Sequence, residues 1–327
     1  MLKTISALEM NYLLLLFSLA LLVVGANWLV DGASAIARRY RISEYIIGAT
    51  IVGMGTSMPE LVVSVISGIE GHPEIAIGNV VGSNIFNVFL ILGLTALIKP
   101  IRYTRENMRR DIPLGIIVSL LVMALCALSI CFHGAYGLGR IEGLLLLICF
   151  VCYLWLTLRG EQGCDLVPEV HDVALGCYKS LLVCVLAILF GLGGLIIGGD
   201  MFVSSASAIA REWGVSEAII GLTIVAGGTS LPELVSSIIA VVKGKGQLAL
   251  GNIIGSNIFN LLLILGVSSL LQPLSMGEIT FIDWGVMVLS SVVLLLAALT
   301  FDKKVLDRVD AVLLLLVYVV YLWWLIA

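Results

Sequence analysis

The sequence predicts an all-α polytopic membrane protein whose ten transmembrane helices form two inverted-topology five-helix repeats. Three observations carry this. The 327 residues are 60% hydrophobic and only 12% charged, with a mean hydropathy of +1.13, where a soluble domain would carry about a quarter charged residues. Long apolar runs, each sufficient to cross a bilayer, follow one another along the chain. Finally, the chain is duplicated: residues 33–100 align without gaps on 206–273, with 39 of 68 positions identical. The shared residues include Pro, Glu, Asn and Ser, so general hydrophobicity does not explain the match.

The spans are expected at 11–37, 45–68, 75–98, 111–132, 138–158, 180–210, 216–242, 247–271, 281–301 and 309–327. The first is read as a span rather than a cleaved leader, because an equivalent segment recurs near 180–210. This gives a first repeat over 1–160, a linker at 161–179 and a second repeat over 180–327. Five spans per repeat is an odd number, so the second copy enters from the opposite side, an architecture found in secondary transporters. Alternate gaps divide the basic residues unequally. Arg38, Arg39, Arg41, the five between Lys99 and Arg110, Arg159, Lys179, Lys243, Lys245, Lys303, Lys304 and Arg308 fall on one side. Only Lys3, Arg140 and Arg211 fall on the other. The positive-inside rule makes the first side, with the linker, cytoplasmic and leaves both termini outside. Nothing in this pattern suggests a nucleic-acid partner, an obligatory protein partner or a cofactor; lipid is the expected surrounding.

Each repeat carries two polar motifs inside apolar runs. GTSMPE at 55–60 recurs as GTSLPE at 228–233. Pro59 removes an amide hydrogen and frees a carbonyl one turn back, and Gly53 and Gly55 loosen that turn. In lipid a freed carbonyl must be satisfied or line a cavity. Thr56, Ser57 and Glu60 can share a helix face. The second copy supplies Ala226, Thr229, Ser230, Pro232 and Glu233. Carbonyl, hydroxyl and carboxylate oxygens together suit a hard cation such as Ca²⁺, and also Na⁺. Mid-membrane carboxylates are costly and are read as functional. Two of them balance one divalent ion. The second motif is a stripe at intervals of four, Asn79, Ser83 and Asn87, repeated as Asn252, Ser256 and Asn260. Bonding between helices is the competing role for Asn79 and Asn252.

Other polar residues carry less. Asp31 and Asp200 are expected to line the path or an interface, not to ligate. The seven cysteines, including Cys149 and Cys152, read as small buried residues. Cys164, His171 and Cys177 match no zinc spacing. Without HExxH, a Ser/His pair or paired aspartates, an intramembrane enzyme is not supported, and broken helices argue against a channel.

In these motifs the sequence resembles the Ca²⁺/cation antiporter superfamily, the group that contains the sodium/calcium exchangers, and within it the bacterial type with a short cytoplasmic linker. The resemblance spans both repeats, with motif regions at 48–93 and 221–266. It implies a secondary active antiporter that exchanges Ca²⁺ for Na⁺ across the cell membrane. It also implies four ion sites in a diamond, served as spans one and six slide across the other eight. Glu60 and Glu233 would bind Ca²⁺ with Thr56 and Thr229. Ser57, Ser230, Ser83 and Ser256 would serve Na⁺, Gly53 and Ala226 would give carbonyls, and Asn87 and Asn260 would sit centrally. Some members have Asp where this chain has Asn260. With two carboxylates only, three Na⁺ leave one net positive charge and one Ca²⁺ leaves none, so 3:1 exchange would be electrogenic. H⁺ or K⁺ are the alternative coupling ions.

Overall fold

The computed structural model describes residues 7–133, 137–159, 180–215, 224, 226–277, 279–300 and 304–326. The expected linker and the start of the expected seventh span lie outside these residues. Among those described, eight helices are long and apolar enough to cross a membrane, and a bent pair makes a ninth. The expected count of ten is not reached, because only Ala226–Gly228 and Leu231–Val242 represent the span at 216–242.

The first and longest helix, α1 (Ala7–Tyr40), has 34 residues. At 1.5 Å per residue it is about 50 Å long, well beyond a hydrocarbon core of about 30 Å. The second span is not one helix. It runs through α2 (Glu44–Ile47), a π-helical segment Gly48–Val52 and α3 (Gly53–Thr56). It then restarts, bent by 44°, as α4 (Met58–Ile69). The third is α5 (Pro73–Phe86), a π-helical segment Asn87–Leu92 and α6 (Gly93–Ile98). Then come α7 (Ile112–His133) and α8 (Arg140–Arg159), followed by α9 (Leu181–Glu212). The GTSLPE region gives α10 (Ala226–Gly228) and α11 (Leu231–Val242). Next are α12 (Gly246–Phe259), a π-helical segment Asn260–Ile264 and α13 (Leu265–Leu271). The chain ends with α14 (Phe281–Thr300) and α15 (Arg308–Ile326).

Helices α1 and α9 lie antiparallel along a glycine seam. A Cβ on Gly25 would meet the Gly191 carbonyl at 2.8 Å, and one on Gly32 would meet the Cys184 carbonyl at 2.9 Å. Between helices in lipid, where water drives nothing together, such close backbone approach supplies the packing energy. Their outward faces carry exposed Leu, Val, Phe and Ile. The core of the molecule is instead α12, whose buried face meets α2, the Gly48–Val52 segment and α3.

The connecting loops form two separate sets. In one, β1 (Ile101–Arg102) pairs antiparallel with β4 (Val305–Leu306), Lys245 Nζ lies 3.0 Å from Glu44 Oε1, and Gln247 donates to the Arg102 carbonyl. In the other, β2 (Gly137–Leu138) pairs antiparallel with β3 (Leu274–Ser275). Asp31 belongs with the first set: Lys243 Nζ reaches its Oδ1 at 2.6 Å and donates to the Asn27 carbonyl. That agrees with an interfacial residue, as does the exposure of Asp200 on α9. Cys126, Cys149, Cys152 and Cys184 form no disulfide among the described residues, with Cys152 exposed and Cys149 half-buried rather than buried. The Cys164–Cys177 stretch lies outside the described residues.

Candidate cation site

The two GTSxPE motifs break their helices in the same way. Ser57 has φ −85° and ψ 10°, and Ser230 has φ −88° and ψ 7°. In each copy the helix restarts one residue later with proline in its first turn, the position that tolerates proline best. Glu60 and Glu233 therefore both fall in the first turn of a new helix, where unpaired amides and the helix dipole favour a carboxylate. Both side chains are 1% exposed. A pair of buried carboxylates is stable only if neutralised.

The two motifs exchange hydrogen bonds. Ser57 Oγ donates to Glu233 Oε1 at 2.8 Å, and Ser230 Oγ donates to Glu60 Oε1 at 3.1 Å. Each serine thus serves the carboxylate of the other repeat, not the one three residues away on its own. Thr56 Oγ1 lies 3.1 Å from the Val52 carbonyl and 3.2 Å from Asn252 Oδ1, two acceptors for its one proton. The Gly53 carbonyl accepts from Ser256 Oγ at 3.2 Å.

The second motif forms a reciprocal asparagine network. Asn84 Nδ2 donates to the Asn257 carbonyl at 3.2 Å, and Asn257 Nδ2 to the Asn84 carbonyl at 3.3 Å. Their side-chain oxygens accept in turn, Asn257 Oδ1 from Asn87 Nδ2 and Asn84 Oδ1 from Asn260 Nδ2, both at 3.0 Å. These bonds fix which end of the Asn87 and Asn260 amides is oxygen. Both asparagines also open a π-helical segment, a feature frequent at functional sites.

Of the predicted set, then, Ser57, Glu60, Ser230 and Glu233 meet across the repeats, as do Gly53 with Ser256 and Asn87 with Asn260 through their pins. Ser83 is buried at the matching place on α5 without a side-chain bond to the others, whereas Thr229 stands beside the Glu60 carboxyl group. Ala226 opens α10. Asn79 and Asn252 act as struts: Asn79 Nδ2 donates to the Glu60 carbonyl and Ser64, and Asn252 Nδ2 to Ser236 and Ser237. Asn84 and Asn257 were missed. Their signal was present, since each is polar within an apolar run, but each lies one residue off the stripe and so reads as facing elsewhere.

Five oxygens of this set are buried with no hydrogen-bond partner among the described residues: Glu60 Oε2, Glu233 Oε2, Asn87 Oδ1, Asn260 Oδ1 and Thr229 Oγ1. Buried polar atoms are nearly always paired; unpartnered ones also occur at Ser34, Tyr103, Ser207, Gln247, Ser268 and Trp284, but these five fall on the two repeated motifs and offer a cation its donors. All five can accept, and two belong to carboxyl groups. The donor set is that of a hard cation. Among the described residues no cluster of three His, Cys, Asp or Glu occurs, so the neutral oxygens are an integral share of the set.

If Asn257 positions Asn87, then Asn257→Ala should weaken the apparent affinity for the bound cation by about tenfold, since an orphaned buried amide costs about 1–3 kcal/mol. The maximal rate should change less. Initial transport rates against cation concentration check this, and an unchanged half-saturation would contradict it.

A multi-pass helical membrane protein with two buried glutamates in an oxygen-rich site has the form of a cation transporter. The family profile described as "Sodium/calcium exchanger protein" matches residues 10–159 and 183–327, and the chain belongs to that family. It is 35% identical over 349 residues to "Sodium/calcium exchanger MaX1" of Methanosarcina acetivorans, covering 96% of this chain and 98% of that one. It is 40% identical to "Putative antiporter CaxA" of Alkalimonas amylolytica, covering 94% and 95%. The solved structure of the sodium-calcium exchanger NCX_Mj soaked with 10 mM Na⁺ and zero Ca²⁺ superposes with a TM-score of 0.82 at 32% identity, over 96% of this chain and 98% of that chain.

Proposed function

We propose that the protein is a secondary active antiporter that exchanges Ca²⁺ for Na⁺ across the cell membrane by alternating access. The observation that carries this reading is the pair of cross-repeat serine–glutamate bonds, on repeated motifs whose Glu60, Glu233, Asn87, Asn260 and Thr229 also carry unpartnered buried oxygens. In this reading Glu60 and Glu233, with Thr56 and Thr229, hold Ca²⁺. Ser57, Ser230, Ser83, Ser256 and the carbonyls of Gly53 and Ala226 serve Na⁺, and Asn87 and Asn260 close the centre. Ca²⁺ and Na⁺ then compete for one pair of charges. Three Na⁺ for one Ca²⁺ moves net charge.

The architecture proposed is ten spans in two inverted repeats, 1–160 and 180–327, joined by a cytoplasmic linker at 161–179 with both termini outside. The two loop sets support it, because gaps one, three, seven and nine meet on one face while gaps four and eight meet on the other. The moving part proposed is the α1–α9 pair. Its packing is one-sided: α1 lies along α11 and is tied to it by Asp31–Lys243, whereas α9 makes no comparable packing against α4. This supports a conformation closed towards the cytoplasm.

The test is ⁴⁵Ca²⁺ uptake into proteoliposomes loaded with Na⁺ and diluted into Na⁺-free buffer, with equal pH on both sides. Uptake that vanishes when Na⁺ is also outside is the expected result. Uptake that ignores Na⁺ but follows an imposed pH gradient would overturn Na⁺ coupling and leave proton exchange.

A further inference from the structure

The consecutive helices α7 and α8 do not pack closely on each other. At the end of the pair that carries the basic loops, a groove of about 490 Å³ opens between them. Three arginines ring its mouth: Arg109 and Arg110 just before α7, and Arg159 at the end of α8. Arg110 is engaged, its Nε 2.8 Å from Oδ1 of the buried Asp111. The Arg159 guanidinium stands 4.0 Å over the ring of Trp155, a cation–π arrangement that holds it at the groove. Arg109 is exposed. Three guanidiniums against one carboxylate leave the mouth with a net charge of about +2.

Below the arginines the lining turns apolar. Leu114 and Ile117 of α7 face Leu156 of α8 across the groove, and Ile117 and Leu156 are exposed, on helices that read as membrane spans. Tryptophan and arginine together mark the headgroup level of a membrane protein. The groove is therefore cationic at headgroup depth and greasy at acyl depth. It is not a by-product of the duplication: the matching start of the ninth span reads Phe281-Ile282-Asp283, with no arginine.

We propose that this groove binds an anionic phospholipid, with its phosphate between Arg109 and Arg159 and an acyl chain along Leu114 and Ile117. The guanidinium fork matches two phosphate oxygens at once, and basic pockets between spans on the cytoplasmic side hold lipid headgroups in this way. A free phosphate would meet the arginines but leave the apolar half of the groove without a partner.

The experiment is native mass spectrometry of the full chain in neutral detergent, titrated with phosphatidylglycerol or with phosphatidylcholine. The wild type is expected to retain one phosphatidylglycerol at a concentration roughly tenfold or more below that needed for phosphatidylcholine. The R109Q/R159Q double variant should lose this preference while eluting as the wild type does on size exclusion, since both side chains are exposed. Equal retention of the two lipids by the wild type would overturn the proposal without recourse to any variant. So would a preference that survives in the double variant, or displacement of phosphatidylglycerol by an equal concentration of inorganic phosphate.

Discussion

Glu60→Gln and Glu233→Gln are each expected to cut Na⁺-driven ⁴⁵Ca²⁺ uptake at least about a hundredfold, to background, with the protein still folded. Glutamine keeps the shape of the side chain and an oxygen to accept from Ser230 or Ser57. What it removes is charge. A divalent cation facing one carboxylate instead of two is left with an uncompensated positive charge in a site that is 1% exposed at both glutamates, and unpaired buried charge is among the largest penalties in protein energetics. Two orders of magnitude correspond to about 2.7 kcal/mol, modest against that penalty. Folding should hold because neutralising a buried carboxylate relieves desolvation rather than adding to it. Size exclusion on the purified variants separates the two effects, and wild-type flux in either variant would falsify the assignment of the carboxylates.

The second large effect is structural. Gly255→Ala is expected to destabilise the protein by about 1–3 kcal/mol or more and to suppress transport. A Cβ there would sit 2.3 Å from the carbonyl oxygen of Ala49 and 2.4 Å from its Cα. These are backbone atoms and cannot swing aside, so α12 and the Gly48–Val52 segment must part. The displaced stretch carries Asn252 and Ser256, which bond Thr56 and the Gly53 carbonyl, so the damage reaches the ion site. Gly285→Ala on α14 is the control. No described atom lies within 4 Å of a Cβ at Gly285, and alanine is the better helix former, so its melting temperature should equal or exceed that of the wild type. Equal melting temperatures for the two variants would contradict the packing argument.

Much of this was legible in the sequence because duplication is an internal control. Glu60 and Glu233 stand out in any hydropathy plot, but their recurrence within identical motifs is what separated them from incidental polar residues. The glycine and proline of each GTSxPE likewise announced the broken helix. What periodicity could not supply was the partner. Spacing places Thr56, Ser57 and Glu60 on one face of one helix, yet Ser57 bonds Glu233 of the other repeat, a choice made by how two helices meet. The π-helical turns that begin at Asn87 and Asn260 were invisible for a related reason. Widening a turn by one residue leaves no compositional mark, and it rotates the face beyond it. Asn84 and Asn257 precede those turns on the regular part of each helix, and a strict count of four passed over them because each sits one residue off the stripe; their role depends on the packing of α5 against α12. The pairing of Asp31 with Lys243 joins residues more than two hundred positions apart, far beyond any local pattern.

The two short β pairings have a mechanical consequence. β1–β4 laces the loop after α6 to the loop before α15, and β2–β3 laces the loop before α8 to the one after α13. Opposite rims of the molecule are thereby stitched, each joining one repeat to the other. α1 and α9 are threaded through neither stitch. Rocking one repeat against the other would have to unpick backbone hydrogen bonds at both rims, whereas an axial glide of the α1–α9 pair leaves every stitch intact. In the exchange cycle proposed here the stitches make a chassis of the other helices, so that the cheap degree of freedom is a piston stroke and not a hinge.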